Sequence, residues 1–185
     1  MQNILRLIVV ALLLNGSAPG AQAQEEVSAK TLALHQRLLV LDSHLDTPVQ
    51  LSRPGWNILQ RHSTLGDGSQ VDLPRMQEGG LDGGFWAIYT PQGARTDEGR
   101  AQASAYGLAT LTRIHDLVER HPAEFGLART SAQARAIAAQ GRRVVFISME
   151  NADPLSSDPA LLCTYYRGGL RMLGLVHFAN NDLAD

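Results

Sequence analysis

The sequence has little of several features that mark particular classes of protein. Its 185 residues include one cysteine, 5% aromatic residues, and 16 Lys and Arg against 18 Asp and Glu, for a formal net charge of −2. A single cysteine excludes an internal disulfide framework and a zinc site built from several cysteines. The lack of excess positive charge argues against nucleic-acid binding driven by bulk charge. The composition is otherwise that of an ordinary globular protein.

The amino terminus carries an apolar run that is too short for a transmembrane helix. The run covers residues 7–14, whereas a membrane span needs about 20 apolar residues. Arg6 precedes it and the triplet Ala21-Gln22-Ala23 follows it, an arrangement typical of a secretory signal peptide. We therefore predict a signal peptide over residues 1–23, no membrane anchor, and export to the periplasm or the medium. Cys163 is predicted to be a buried small hydrophobe.

Short apolar runs alternate with helical patterns along the rest of the chain. Four runs are predicted as strands, at 38–41, 85–89, 144–147 and 173–176. Helices are predicted at 27–37, 73–78, 96–120, 131–140 and 159–168, with Asp72, Thr96 and Asp158 at helix starts. Strands that are apolar on both faces and separated by helices favour a parallel α/β sheet.

Three of the four predicted strands run into residue types that bind metals. The first leads into Asp42, His44 and Asp46, the third into Glu150, and the fourth into His177. Residues two apart on an extended chain point to the same side, so His44 and Asp46 can reach one ion together. The carboxyl ends of parallel strands open on one side of a sheet, which brings the three sets together. An imidazole with carboxylates suits zinc, and a carboxylate from another strand can bridge two ions.

Each of these residues taken alone also has a structural interpretation. The His44–Asp46 pair could belong to a surface loop or a hydrogen-bonded strand end, and Asp42 could be a turn residue or a hydrogen-bond acceptor. Glu150 could cap a helix or pair with an arginine, and His177 could be a core or loop histidine. Their shared position at strand ends favours a metal site. Solvated surface roles are predicted for His35, His62, His115 and His121.

Four segments that carry these residues follow one another in a specific order. They are DSHLDTP at 42–48, QVDLPR at 70–75 with GGFWAIYTP at 83–91, ISMENA at 147–152, and YRGGLRMLGLVHFANNDLAD at 166–185. In this order they resemble the membrane dipeptidase family, also called renal dipeptidase, which belongs with the metal-dependent amidohydrolase barrels. The resemblance covers essentially the whole chain after the signal peptide.

The resemblance implies an α/β fold of the (β/α)8 TIM-barrel type. Residues 24–185 would form its amino-terminal half, with about four of the strands. The family's two further zinc histidines and a catalytic aspartate come after the position that matches Asp185. We therefore expect the 185-residue chain to be a truncated form that is inactive by itself.

The resemblance also implies a mechanism. His44 and Asp46 would bind one zinc ion, and Glu150 would bridge two. A hydroxide held between the metals would attack the peptide carbonyl of a dipeptide, with tolerance for a D-residue on the carboxyl side. His177 would contact the substrate and stabilise the oxygen of the tetrahedral intermediate. A homodimer of the full-length protein is left open.

Several residues near the motifs differ from those common in the family. They are Ser43, Leu45, Val49, Phe178 and Leu183. None removes a predicted ligand, but they leave the side-chain preference for substrate open. Two other functions are compatible with the sequence. One is another binuclear amidohydrolase that acts on a lactone, a cyclic amide or a phosphoester. The other is a non-catalytic exported module that binds metal or peptide.

Overall fold

The computed structural model of the protein describes residues 27–184, so the predicted signal peptide lies outside the described residues. The strands are β1 (Leu41–Leu45), β2 (Gly83–Tyr89), β3 (Phe125–Leu127), β4 (Arg143–Glu150) and β5 (Leu170–Leu173). The helices are α1 (Ala29–His35), α2 (Thr47–Gln50), α3 (Thr64–Asp67), α4 (Leu73–Glu78), α5 (Asp97–Arg120), α6 (Ser131–Ala138) and α7 (Leu161–Gly168), with a 3-10 turn at Asp153–Leu155. Within the described range, every helix is too short or too polar to cross a membrane.

The strands form one parallel sheet, as the sequence predicts. Its order is β1-β2-β4-β3, and β5 also pairs with β4. β3 and β5 share one side of β4, because β3 pairs with its amino-terminal part and β5 with its carboxyl-terminal part. All carboxyl ends therefore open at the same end of the sheet, where ligand sites form in parallel α/β folds.

Helix α5 covers one face of the sheet. Its buried Ile114 and Leu117 belong to an apolar core that includes Trp86 of β2 and Ile147 of β4. Ile114 and Leu117 are three residues apart, the helical spacing that keeps side chains on one face, so this part of α5 packs on the core. This burial attaches the longest helix to the two central strands.

Helix α6 packs on the opposite face. Ala134 and Ile137 of α6 form a second apolar cluster with Val144 and Phe146 of β4. Side chains alternate along a strand, so Glu150 at the end of β4 lies on the same face as Phe146. The amino-terminal half of this face is thus filled by apolar side chains, and its carboxyl-terminal half presents Glu150.

Two adjacent glycines at the start of β2 allow β1 and β4 to approach it from either side. A Cβ on Gly84 would lie 2.4 Å from the carbonyl oxygen of Asp42, and one on Gly83 would lie 2.1 Å from that of Val144. Gly83 also has a φ of 143°, which is unfavourable for other residues. The register that brings the ends of β1 and β4 together therefore depends on Gly83 and Gly84.

Two of the three predicted helix starts are confirmed, and at both a side chain caps the helix. Asp72 Oδ1 accepts the N–H of Arg75 at 2.9 Å at the start of α4, and Thr96 Oγ1 accepts the N–H of Gly99 at 3.2 Å at the start of α5. The predicted cap at Asp158 is wrong for α7. Asp158 Oδ1 accepts the N–H of Ala160, and the helix itself begins later.

Two predicted strands are displaced. The apolar run at 38–41 mostly precedes β1, because backbone pairing with β2 begins only at Leu41. Leu38, the first residue of the run, is 55% exposed. The last strand lies at Leu170–Leu173 and not at 173–176, since pairing with β4 begins directly after Gly169. His177 consequently lies in the loop after β5. The short β3 was not predicted, and Cys163 is exposed, contrary to the predicted burial.

Candidate metal centre

His44 and Asp46 meet at the carboxyl end of β1. His44 lies within the strand, and Asp46 follows its last residue. Asp46 precedes α2 but makes no capping hydrogen bond, and its Oδ1 lies 3.2 Å from His44 Nε2. Asp42 Oδ1 accepts the backbone N–H of His44 at 2.9 Å. Asp42 therefore stabilises the backbone that presents the imidazole.

Glu150 brings a second carboxylate to the same place from β4. It is the last residue of that strand and is paired in register with Tyr89 of β2. Its Oε2 lies 3.3 Å from His44 Nε2, across the width of β2. One ligand atom from each of His44, Asp46 and Glu150 lies within 4.8 Å of the others. The fold thus assembles one nitrogen and two oxygen donors at the end of the sheet.

The two donor distances from His44 are compatible with a shared metal ion. Ligand atoms about 2.0–2.2 Å from a tetrahedral zinc lie roughly 3.3–3.5 Å from one another. His44 Nε2 is 3.2 Å and 3.3 Å from the two carboxylates. Among the described residues, the Asp46 carboxylate contacts His44, and the Glu150 carboxylate contacts His44 and His177. The donor set can therefore hold a metal without breaking a competing interaction with a cationic arginine or lysine.

His177 reaches the same cluster from the loop after β5. Its Nε2 lies 3.5 Å from Glu150 Oε1, the carboxylate oxygen that does not face His44. The Tyr89 ring meets the His177 imidazole edge-on, with 5.5 Å between the ring centroids. The Phe178 ring also contacts the imidazole, with 4.3 Å between the centroids. Glu150 therefore lies between two histidines, with one oxygen toward each. Tyr89 was not identified as a neighbour from the sequence, because only the register of β2 places it there.

A loop before α4 forms one wall of the site. A cavity of about 200 Å³ is lined by residues around β1 and by Gly68, Gln70 and Val71. Trp56 and Arg75 hold this loop, because Trp56 Nε1 donates to Ser69 Oγ at 2.8 Å and Arg75 Nη2 donates to the Ser69 carbonyl at 2.7 Å. The loop is therefore held by two polar contacts to Ser69.

His62 is part of this support, contrary to the predicted surface role. Its side chain is 12% exposed. Nε2 lies 2.9 Å from the Asn57 carbonyl and Nδ1 lies 2.6 Å from Asp67 Oδ2. The hydrogen bond to Asn57, together with Asp67, raises the pKa of His62, because acceptors at both ring nitrogens favour the imidazolium.

The carboxylates beside His62 are kept ionised. The backbone N–H of Ser69, followed by His62, lowers the pKa of Asp67 to about 2. Asp72 is fully buried, which works against its charged form, but hydrogen bonds from the His62 and Arg75 N–H groups and the Arg75 side chain lower its pKa. The buried charge is thus compensated on several sides.

The segment 178–184, which follows His177, is tied to the loop after β2 and to the first turn of α5. Arg95 Nε donates to Asp182 Oδ1 at 2.7 Å, and Arg100 Nη1 donates to Asp182 Oδ2 at 2.9 Å. The hydrogen bond from Arg95, followed by the charge of Arg100, lowers the pKa of Asp182. The sequence offered no specific signal for this contact, because an arginine and an aspartate more than eighty residues apart can pair anywhere on a surface.

Comparison with known proteins covers nearly all of the described residues. The model of a family described as membrane dipeptidase, peptidase family M19, matches residues 28–185. The chain belongs to the membrane dipeptidase family. A curated relative is Dipeptidase verJ of Clonostachys rogersoniana, which is 29% identical over 85% of this chain and 42% of that protein. The resemblance inferred from the sequence is confirmed, and the family is one of metallopeptidases.

Solved structures of similar proteins give the same fold. The probable dipeptidase PvdM from Pseudomonas aeruginosa has a TM-score of 0.70 and 28% identity over 82% of this chain and 38% of that chain. A metallo peptidase from Rhodobacter sphaeroides, liganded with a phosphinate mimic of the dipeptide L-Ala-D-Ala, has a TM-score of 0.61 and 27% identity over 75% of this chain and 45% of that chain.

The chain spans less than half the length of these relatives. Its five parallel strands correspond to part of the TIM-barrel fold of the dipeptidase and amidohydrolase proteins. The predicted fold class is confirmed, including the expectation that only part of the barrel is covered.

Proposed function

We propose that this chain is part of an exported zinc-dependent dipeptidase and contributes half of its metal centre. The observation that carries the proposal is the convergence of His44, Asp46 and Glu150, whose ligand atoms lie within 4.8 Å of one another at the carboxyl end of the sheet. The family supports a metallopeptidase. The identity of the metal as zinc rests on the mixed imidazole and carboxylate donors and on their spacing.

The two oxygens of Glu150 have different surroundings, and this supports different roles. Oε2 faces His44, which with Asp46 would hold one zinc ion. Oε1 faces the opposite side, toward His177, so the carboxylate can bridge to a second ion. Zinc bound in this way would lower the pKa of a water molecule enough to supply a nucleophile near neutral pH, and it would polarise the substrate carbonyl.

His177 is proposed to contact the substrate. Its imidazole contacts the rings of Tyr89 and Phe178, and these contacts restrict the directions in which the ring can point. A donor held in this way can hydrogen-bond to the carbonyl oxygen as negative charge develops there. The proposed substrates are dipeptides, with tolerance for a D-residue on the carboxyl side, because a similar metallo peptidase is described with a mimic of L-Ala-D-Ala.

Zinc titration tests the first half of this proposal. We expect the 185-residue chain to bind zinc in isothermal titration calorimetry. His44→Gln should weaken binding by more than about 10-fold, because changes even beyond the ligands cost about 10–100-fold. His121→Gln is the matched control, since no contact of its side chain supports the site. Equal zinc affinity in wild type and His44→Gln would contradict the proposed set of ligands.

Hydrolysis by the complete gene product tests the second half. L-L and L-D dipeptides are assayed beside a lactone, with zinc present. Cleavage of dipeptides is expected, and exclusive cleavage of the lactone would assign the site to another amidohydrolase reaction. Zinc binding without any hydrolysis would support a metal-binding module.

A further inference from the structure

Asn151, directly after Glu150, is fully buried and has a left-handed backbone. Its φ is 62°, the only positive value at a non-glycine residue among the described residues. Asparagine tolerates this conformation better than most residues because its short polar side chain can form local hydrogen bonds. A left-handed residue turns the chain sharply at the end of β4. The side chain of Asn151 is thereby directed inward among the loops that follow the strands.

The Asn151 amide joins the ends of two strands to the loop after β5. Its Nδ2 donates to the carbonyl of Thr90, which follows β2, at 2.8 Å. Its Oδ1 accepts from Asn181 Nδ2 at 2.9 Å. Both amides are almost completely excluded from solvent, with Asn181 2% exposed. Buried amides are costly unless paired, so this arrangement fixes the relative positions of the three segments.

Asn181 then closes the loop that carries His177. Its Nδ2 also donates to the Leu175 carbonyl at 2.6 Å. Its Oδ1 accepts the N–H groups of Leu183 at 2.8 Å and Ala184 at 3.1 Å. The loop is thus held on both sides of His177. Ala152 adds a backbone bond from its N–H to the same Leu175 carbonyl at 3.1 Å.

The backbone partners determine which atom of each amide faces which neighbour. The Thr90 carbonyl can only accept, so the nitrogen of Asn151 must face it, and the oxygen of Asn151 must face Asn181. Asn181 must then present its nitrogen to Asn151 and its oxygen to two N–H donors. Every assignment agrees with the next. An aspartate at 151 would present an acceptor to the Thr90 carbonyl, and a glycine would keep the backbone but lose both bonds.

From this geometry we infer that Asn151 is a positioning residue, which acts through Asn181 to hold His177 against Glu150. The inference rests on the proposed function for the catalytic role of His177, but the placement of the loop can be measured without activity. The hydrogen bonds of Asn151 and Asn181 set the position of the His177 imidazole and do not involve His44 or Asp46.

The test uses Asn151→Gly, which retains the left-handed backbone, and Asn181→Ala, which removes the other partner. NMR of the 185-residue chain measures the ring resonance of His177, which is assigned by its loss in His177→Gln. The same method measures the hydrogen-exchange rate of the Leu183 amide. We expect the His177 resonance to shift or broaden in both variants. The exchange rate at Leu183 should rise by at least about 5-fold, the change expected for the loss of one net hydrogen bond.

Asn57→Ala is the matched control, because it removes one hydrogen bond, to the N–H of Leu59, from a different loop. It should leave the His177 resonance unchanged. Zinc affinity should stay within about 3-fold of wild type in Asn151→Gly, since that change removes no ligand. An unchanged His177 resonance and unchanged Leu183 exchange in both amide variants would overturn the inference.

Activity of the complete gene product separates this inference from the proposed function. If dipeptides are cleaved, Asn151→Gly should lower kcat while KM changes little, because His177 is proposed to act on charge that develops in the transition state. Failure of the wild type to cleave dipeptides would contradict the proposed function. The NMR result would still decide whether Asn151 positions His177.

Discussion

His44 Nε2 lies 3.3 Å from Glu150 Oε2, although the two residues lie on strands that are separated by β2. The contact depends on both strands ending at the same level. Each strand is parallel to β2, and the glycines at the start of β2 permit close approach. The relationship therefore connects the packing of the sheet to the chemistry of the site.

The charge of Glu150 is the first testable feature. Glu150→Gln keeps the size of the side chain but replaces a strong oxygen donor with a neutral amide. We expect the zinc affinity of the 185-residue chain to fall by more than about 10-fold, as for other disrupted zinc sites. Calorimetry measures the change. Glu119→Gln, at an exposed position on α5, should behave as wild type, and equal losses in both variants would point to a non-specific charge effect.

Substitution of His177 should lower the rate of hydrolysis and leave the metal content unchanged. In the complete gene product, His177→Gln should lower kcat for dipeptides by about 10²–10³, the usual cost of losing a donor that stabilises an oxyanion. Zinc content, measured by elemental analysis, should be unchanged. A loss of zinc with the loss of rate would instead identify His177 as a metal ligand.

The His62–Asp67 pair predicts a dependence of stability on pH. The folded state raises the pKa of His62 above the usual 6.5, so the contribution of protonated His62 is complete below that pH and is lost as the pH rises through the folded pKa. The pKa of Asp67 is lowered from 3.8 to about 2. Its contribution is therefore present above pH 3.8 and is lost as the pH falls toward 2.

Urea unfolding from acid to alkaline pH measures this dependence. The difference in free energy of unfolding between wild type and His62→Gln should be largest between the two transitions and smaller at either extreme. His121→Gln should reproduce the wild-type profile. A difference that is constant over the whole range would show that His62 acts by packing on Trp56 and not by charge.

A side chain at position 84 is expected to lower the stability of the protein by forcing β1 away from β2. In Gly84→Ala, the new Cβ would meet the Asp42 carbonyl at 2.4 Å, a distance that requires the strands to move. We expect a loss of about 1–3 kcal/mol of stability, the usual cost of overpacking, and weaker zinc binding. Thermal unfolding and calorimetry measure the two effects. Gly93→Ala, whose Cβ would have a nearest neighbour at 4.0 Å, should be close to neutral.

The sequence by itself determined the parallel α/β class and the starts of α4 and α5, and it indicated the residues of the candidate site. These features depend on local rules: capping by Asp72 and Thr96, apolar spacing along α5, and the two-residue spacing of His44 and Asp46. The order of the segments was sufficient to indicate the family.

Only the tertiary structure decided where β1 and β5 begin, because strand limits depend on pairing with β2 and β4. It also decided that His62 is largely buried in a charged network and that Asn151 contacts Asn181. Such contacts join residues that are separated in sequence and have no periodic pattern. The ligand types are local in the sequence, whereas their distances and the supports behind them arise from packing.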